Sequence, residues 1–210
     1  MGFYAKWILP HLTDLAMRND EAARFRARIV PHARGTVLEV GAGSGLNLPY
    51  YGPGVERVLA LDPSPQLLRK ASARAACAGF AVDFLESEAE HIPLADQAVD
   101  AVVMTWTLCS VRDPARVLGE IWRVLKPEGS LWFVEHGLAS ESSVAAMQRG
   151  LSPLWRRFTG GCHLDRKMDE LIRGAGFRLA ELTTEYAKGA RPLSYQYWGR
   201  ARRPFALDSV

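Results

Sequence analysis

Short apolar runs, too continuous for strands with one wet face, alternate along this chain with helix-like segments. That alternation constrains the fold more than any other feature. Strands buried on both faces belong to a parallel sheet with helices packed on either side. Thr36-Val37-Leu38-Glu39-Val40 reads as a first strand and Arg57-Val58-Leu59-Ala60-Leu61 as a second. Ala81 to Glu86, Ala98 to Met104 and Leu131-Trp132-Phe133-Val134 supply a third, fourth and fifth. Ser64 before Pro65, and Asp113 before Pro114, are helix starts, each a capping side chain followed by proline at the first helical position. The second of these helices runs to Leu125. A helical lead-in covers roughly Leu12 to Val30, and the stretch from Leu138 to Leu164 is less regular. A helix over Asp165 to Arg173 and strands near Phe177–Thr184 and Ser194–Trp198 finish the chain.

The expected architecture is α/β, a Rossmann-like doubly wound sheet in one domain of 210 residues. Residues 1–34 read as an N-terminal helical lid, 35–137 as the ligand-binding core, and 138–210 as a substrate-side segment with the last strands. Hydrophobic residues at 48% and charged residues at 23% are ordinary globular values and exclude disorder. A net charge of +3 with scattered arginines gives no clustered stripe for nucleic acid. Cys77, Cys109 and Cys162 are far apart with no CxxC spacing, so neither a disulfide framework nor a zinc site is suggested. The run Phe3 to Leu9 is interrupted by Lys6 and stopped by Pro10, too brief to span a bilayer. The expectation is a cytoplasmic protein without stable membrane insertion, a monomer or homodimer.

Open parallel sheets bind ligands beyond the carboxyl ends of their strands. The first strand ends in Glu39-Val40-Gly41-Ala42-Gly43-Ser44-Gly45, and the second in Asp62, 21 residues past Gly41. An acid there can accept hydrogen bonds from ribose hydroxyls. The third ends at Ser87-Glu88-Ala89, suited to the edge of an adenine. A dinucleotide fingerprint needs glycine at position 46, where Leu46 stands, and no P-loop lysine follows. Glu39, two residues before the first glycine, is unfavourable beside a pyrophosphate and favourable beside an ammonium group. The pattern therefore calls for a ligand with a nucleoside at one end and a positive charge at the other.

The run Glu39 to Gly45, Leu61-Asp62-Pro63-Ser64, Glu88 to Leu94 and Arg123 to Gly129 together resemble a class I S-adenosylmethionine-dependent methyltransferase. The resemblance implies a seven-stranded sheet whose last strand is antiparallel, with S-adenosyl-L-methionine as cofactor and S-adenosyl-L-homocysteine as product. It places Glu39, Gly41, Ala42, Gly43, Gly45 and Asn47 near the methionine moiety and Asp62 and Pro63 on the ribose. Ser87, Glu88 and Ala89 then lie at the adenine, with Thr105 and Trp106 lining the cofactor. Base-methylating relatives carry an Asn/Asp-Pro-Pro-aromatic element after the fourth strand; Met104-Thr105-Trp106-Thr107 differs, which points to a small-molecule acceptor rather than nucleic acid.

Thr107 to Val111, Glu135-His136, Pro153-Leu154-Trp155 and Gly161-Cys162-His163-Leu164 resemble a narrower branch, the methyltransferase-like alkyl thiol S-methyltransferases, without the N-terminal anchor of its animal members. Thiol S-methylation is the leading expectation. The alternative is O-, N- or C-methylation of a natural product, a quinone precursor or a phospholipid head group. His136 and His163 are the candidate catalytic residues, and Tyr4, Cys109, His136, Trp155 and His163 the candidate acceptor-binding ones. His136 can orient a substrate or take its proton, or can equally be tied to a nearby carbonyl. Cys109 and Cys162 read as packing residues rather than nucleophiles, because the sulfonium is attacked directly. No metal is expected.

Overall fold

The computed structural model describes residues 9–204, with side chains from residue 12 onward. Tyr4 and the rest of residues 1–8 lie outside the described residues. Seven strands form one sheet: β1 (Gly35–Val40), β2 (Val55–Leu61), β3 (Ala81–Leu85), β4 (Val99–Thr105), β5 (Leu125–His136), β6 (Arg178–Tyr186) and β7 (Tyr195–Arg202), in the order β3-β2-β1-β4-β5-β7-β6. Strands β3 to β5 across this order pair in parallel, and β7 runs antiparallel to both of its neighbours. The expected Rossmann-like sheet with an antiparallel last strand is the one observed. The strand order reverses between β1 and β4, the switch point where a crevice must open.

Helices α1 (Leu9–Ala16), α2 (Asp20–Ile29), α3 (Pro65–Ala75), α4 (Pro114–Val124), α5 (Ser142–Phe158), α6 (Met168–Gly174) and the single turn α7 (Arg191–Ser194) complete the described chain. The capping residues act as expected. Ser64 Oγ accepts from Leu67 N at 3.4 Å, and Asp113 Oδ1 accepts from Arg116 N at 3.0 Å. In α4 the buried side chains Val117, Leu118, Ile121 and Val124 recur at helical spacing and cover the sheet.

Alternation along the strands sorts side chains onto two faces. Leu38, Val40, Val102, Met104, Leu131 and Phe133 pack with α4 and α6 residues. Val37, Ala101, Val103, Trp132 and Val134 pack against Phe25 and Ile29 of α2. The same alternation sends Glu39 to the α2 side, which matters for the site.

Three elements depart from expectation. The lead-in is two helices, not one, because Asn19 Oδ1 accepts from Ala22 N (2.9 Å) and restarts the chain as α2. The irregular stretch after Leu138 contains the 17-residue α5, which runs through Pro153. And β5 begins at Leu125, where the preceding helix was expected to end, six residues ahead of the strand expected from Leu131.

Candidate active site

Two cavities open at the carboxyl ends of β1, β2 and β4. The first, about 450 Å³, is walled by the glycine loop, the ends of β2 and β4, and α1. Volumes of this order are typical of small-molecule sites. Gly41 has φ +74°, and a Cβ there would run into the Thr107 side chain, whose Oγ1 donates to Val40 O at 3.0 Å. Only glycine lets the backbone turn there and leave the cavity open.

Glu39 is 1% exposed. Tyr51 OH donates to its Oε2 at 2.9 Å, while Oε1 is buried with no hydrogen-bond partner. The nearby Asn47 amide Nδ2 donates to Thr105 Oγ1 (3.1 Å), and its Oδ1 accepts from Arg26 Nε (3.0 Å). Burial pushes the Glu39 carboxyl up to about 7, against the pull of Tyr51, Asn47 and Arg26. A buried carboxylate oxygen without a donor is costly unless a ligand supplies one. Glu39 lines this cavity, where a cationic ligand group would satisfy Oε1.

Asp62 is 6% exposed at the end of β2. Its Oδ2 accepts from Gly43 N (2.9 Å) and its Oδ1 from Ser64 N (2.8 Å), so the acid ties the glycine loop to the start of α3. Burial raises its pKa while those two N–H groups resist. Pro63, Glu88, Ala89, Thr105, Trp106, Ala42 and Asn47 also line the cavity.

Two residues named from the sequence do not line it. Ser87 is turned away, its hydroxyl donating to His91 O at 2.6 Å. Gly45 (φ +77°) packs beneath the loop against Leu48 and Ala71.

The sequence pattern also left out residues that the geometry brings in. Asp14 on α1 accepts from Ser44 Oγ of the glycine loop, from Arg18 (2.6 Å) and from Lys70 (3.2 Å). Burial alone would raise its pKa, but these donors hold it at about 2, so an ionised Asp14 anchors α1 over the cavity. Arg26 is 5% exposed and lies 5.1 Å from the Trp106 ring centroid. Its position could have been noticed: it sits among Ala22, Phe25 and Ile29 on the apolar stripe of α2, where an arginine demands a buried partner.

The second cavity, about 420 Å³, adjoins the first across Thr13, Met17, Trp106, Ser110 and Thr159, which line both. Its walls include Phe25, Cys109, His136, Trp155, Phe158, Cys162 and Leu193. Trp106 divides the two spaces in a backbone conformation rare for a bulky side chain, φ +53°. It is held there by Nε1 donating to Gln196 Oε1 (2.9 Å) and by edge contact with Phe25. The turn after it is fixed from below by Glu135, fully buried, whose carboxylate accepts from the backbone N–H groups of Thr107, Leu108 (both 2.9 Å) and Cys109 (3.0 Å).

His136 is buried on the wall of this cavity, and burial lowers its pKa, leaving a neutral ring. Nε2 faces Leu193 O, which can only accept, so Nε2 carries the proton and Nδ1 keeps its lone pair. His163 lines neither cavity. Its ring faces Asp165 (3.5 Å), and burial with nearby Arg166 and Arg156 lowers its pKa. Among the described residues no group of three His, Cys, Asp or Glu could hold a metal, and no helix is long and apolar enough to cross a membrane.

Residues 38–133 match the family model described as a methyltransferase domain. Thiol S-methyltransferase TMT1B of Rattus norvegicus is 40% identical over 152 residues, covering 70% of this chain and 62% of that protein. Thiol S-methyltransferase TMT1A of Homo sapiens is 36% identical over 172 residues, covering 79% of this chain and 68% of that protein. The chain belongs to the S-adenosylmethionine-dependent methyltransferases. Phosphatidylethanolamine N-methyltransferase of Cereibacter sphaeroides is a more distant relative, 30% identical, covering 78% of this methyltransferase and 81% of that one. The fold matches that of a Bacillus halodurans C-125 protein described as a methyltransferase, with TM-score 0.71, 19% identity and coverage of 89% and 99%.

The residues of this methyltransferase fit its cofactor. The unpartnered Glu39 Oε1 suits the ammonium of the methionine moiety, and Gly41 leaves room for the backbone to approach it. Asp62 retains acceptor capacity for ribose hydroxyls, and Glu88 and Ala89 stand on the wall past β3 where an adenine edge would lie.

Proposed function

We propose that this chain methylates a small apolar acceptor, a thiol before other classes, held in the 420 Å³ cavity beside the cofactor. The observation that carries the reading is that cavity itself: largely aromatic and aliphatic walls meeting the cofactor space at Trp106, with one neutral imidazole, while the carboxylate among its lining residues, Glu21, is paired with Arg24 and Lys188. Bound S-adenosylmethionine supplies an electrophilic methyl group; the chain's own side chains do the rest. Glu39, Asp62 and the glycine loop fix the cofactor's ends. Trp106, Trp155 and Phe158 exclude water and align the acceptor, which is most of what an in-line displacement requires.

An acceptor thiol with a pKa near ~8.5 is already a few per cent thiolate at neutral pH and needs little help. His136 Nδ1, 3.5 Å from Cys162 Sγ, keeps a lone pair on the cavity wall that can receive or orient such a proton. A protonated amine or a phenol would call for a stronger base than this wall offers. His163 has no part in this reading, because its ring points to Asp165. The relatives named thiol S-methyltransferases support the choice. The chain spans 62% of the length of the rat protein, and the apolar cavity beside the cofactor space supports the same acceptor class.

A second reading, N-methylation of a head-group amine, has the Cereibacter sphaeroides relative in its favour. Incubation with labelled S-adenosylmethionine and matched panels of alkyl thiols, phenols, quinols, amines and phosphatidylethanolamine vesicles separates the two. Label on alkyl thiols is the expected result. Label on phenols or on the vesicle lipid, with thiols unlabelled, removes the thiol assignment.

A further inference from the structure

The acceptor cavity contains two thiols that methyl transfer does not use. Cys109 sits in the turn held by Glu135, and Cys162 follows α5. Their two stretches of chain run side by side. His163 N, next to Cys162, donates to Cys109 O at 2.8 Å, and the Cβ position of Gly161 lies 3.0 Å from Ser110 O. Both side chains line the same cavity. Cys162 Sγ is 3.5 Å from His136 Nδ1, the nitrogen left with its lone pair by the Leu193 carbonyl. A thiol beside an imidazole lone pair is the arrangement that makes cysteine reactive. The neighbouring Cys109 thiol is the largest cause lowering the pKa of Cys162, with Trp155 and Arg166 adding to it against burial and Glu135, while Cys162 and burial raise that of Cys109. With His136 Nδ1 beside Cys162 and not beside Cys109, the first is placed to attack and the second to follow.

We propose that Cys162 and Cys109 are a redox-active pair that captures small apolar disulfides entering the acceptor cavity. The Cys162 thiolate attacks one sulfur of RSSR, its proton resting on His136; the RS–SR bond breaks and RS⁻ leaves with that proton as RSH. Cys109 then gives up its proton and attacks Cys162 Sγ. The mixed disulfide breaks, the second RS⁻ takes the proton, and a Cys109–Cys162 disulfide remains. Two electrons pass from the cysteine pair to RSSR, and two RSH are released. The oxidised pair has lost the thiol facing His136, so disulfide load is sensed inside the space where the acceptor must sit. This inference does not rest on the acceptor being a thiol, because its readout is the state of the protein's own sulfur.

The test uses the full chain carrying Cys77→Ser, which removes the exposed third thiol, with diethyl disulfide as probe. Intact mass and peptide mapping should show loss of two hydrogens, a Cys109–Cys162 cross-link and no lasting adduct. Adding Cys109→Ser should trap an ethylthio adduct on Cys162. In the chain that keeps Cys77, Cys162 should react about tenfold faster than Cys77 at pH 7. His136→Gln, with its fold checked by melting, should slow that reaction at pH 7 and shift its rate profile to higher pH. An unchanged thiol count, first attack at Cys109, or reaction no faster than at Cys77 would each overturn the proposal.

Discussion

The two cavities that meet at Trp106 are built by different means. The cofactor side is made of backbone: a glycine loop, two N–H groups on Asp62, and strand ends in a fixed register. The side proposed for the acceptor is made of side chains from elements far apart in sequence, among them Phe25 on α2, Trp155 on α5 and Leu193 on α7. A backbone cradle tolerates few residues at each position and so leaves a spacing pattern. A side-chain wall needs only volume and apolarity, which many sequences provide. The difference explains why related methyltransferases share a cofactor and diverge in acceptors.

The harshest way to break this contrast is Gly41→Val. The left-handed conformation alone costs about 1–2 kcal/mol with a side chain, and a β-branched residue also collides with Thr107, which is tied to Val40 O. Cofactor affinity should fall at least ~100-fold in calorimetry with S-adenosylhomocysteine. Retained affinity would mean that the loop is not the cradle.

Next in size is Glu39→Gln. A charge-assisted hydrogen bond is worth about 1.5–3 kcal/mol, so affinity should drop ~10–100-fold at pH 8. In the native protein the carboxyl titrates at about 7, and a cationic ligand selects the ionised form. Binding should therefore be about tenfold weaker at pH 6 than at pH 8, with proton release at the lower pH. The ligand-free fold shows the opposite trend. A carboxyl raised on folding holds its proton longer in the native state, so stability declines as pH climbs from its unfolded value through 7. Both slopes should flatten in the Gln variant. A slope that survives there assigns the titration to another group.

What the sequence made legible follows the same division. The strands, the caps at Ser64 and Asp113, and the acids at Glu39 and Asp62 all announce themselves through local pattern. Helix α5 did not, since Pro153 argues against a helix interior. Its long turn survives because buried Gln148 ties it to the chain after β5, through Ala139 N (2.7 Å) and Gly137 O (3.0 Å). Such long-range satisfaction has no local signal. Asp14 was missed, and Glu135 was named without its role, for the same reason, each being defined by donors distant in sequence.

Trp106→Ala sharpens the comparison from the side that both cavities share. Removing the ring deletes the Gln196 hydrogen bond, the Phe25 contact and the stacking of Arg26. If Trp106 chiefly aligns the acceptor, kcat/KM for the acceptor falls ~10-fold while cofactor affinity changes by less than about threefold. The reverse ratio would move Trp106 to the cofactor side.

The smallest effect is expected where sequence and geometry disagree. His163 stands beside Cys162 and is a candidate catalytic residue from the sequence, yet its ring lines neither cavity and lies 24% exposed against Asp165. Its neutral imidazole is set by burial and by Arg166 and Arg156, none of which faces the acceptor. His163→Gln should therefore leave kcat/KM within about twofold and its pH profile unmoved, with at most a slight loss of stability from the missing Asp165 contact, as for other exposed pairs. His136→Gln, by contrast, should shift the acidic limb of that profile, because His136 lines the cavity with a neutral ring whose Nδ1 keeps its lone pair. If the two variants exchanged behaviours, the acceptor wall would have to close differently during turnover, with the 160–163 turn swung inward and the imidazole of β5 left as a structural tie to Leu193.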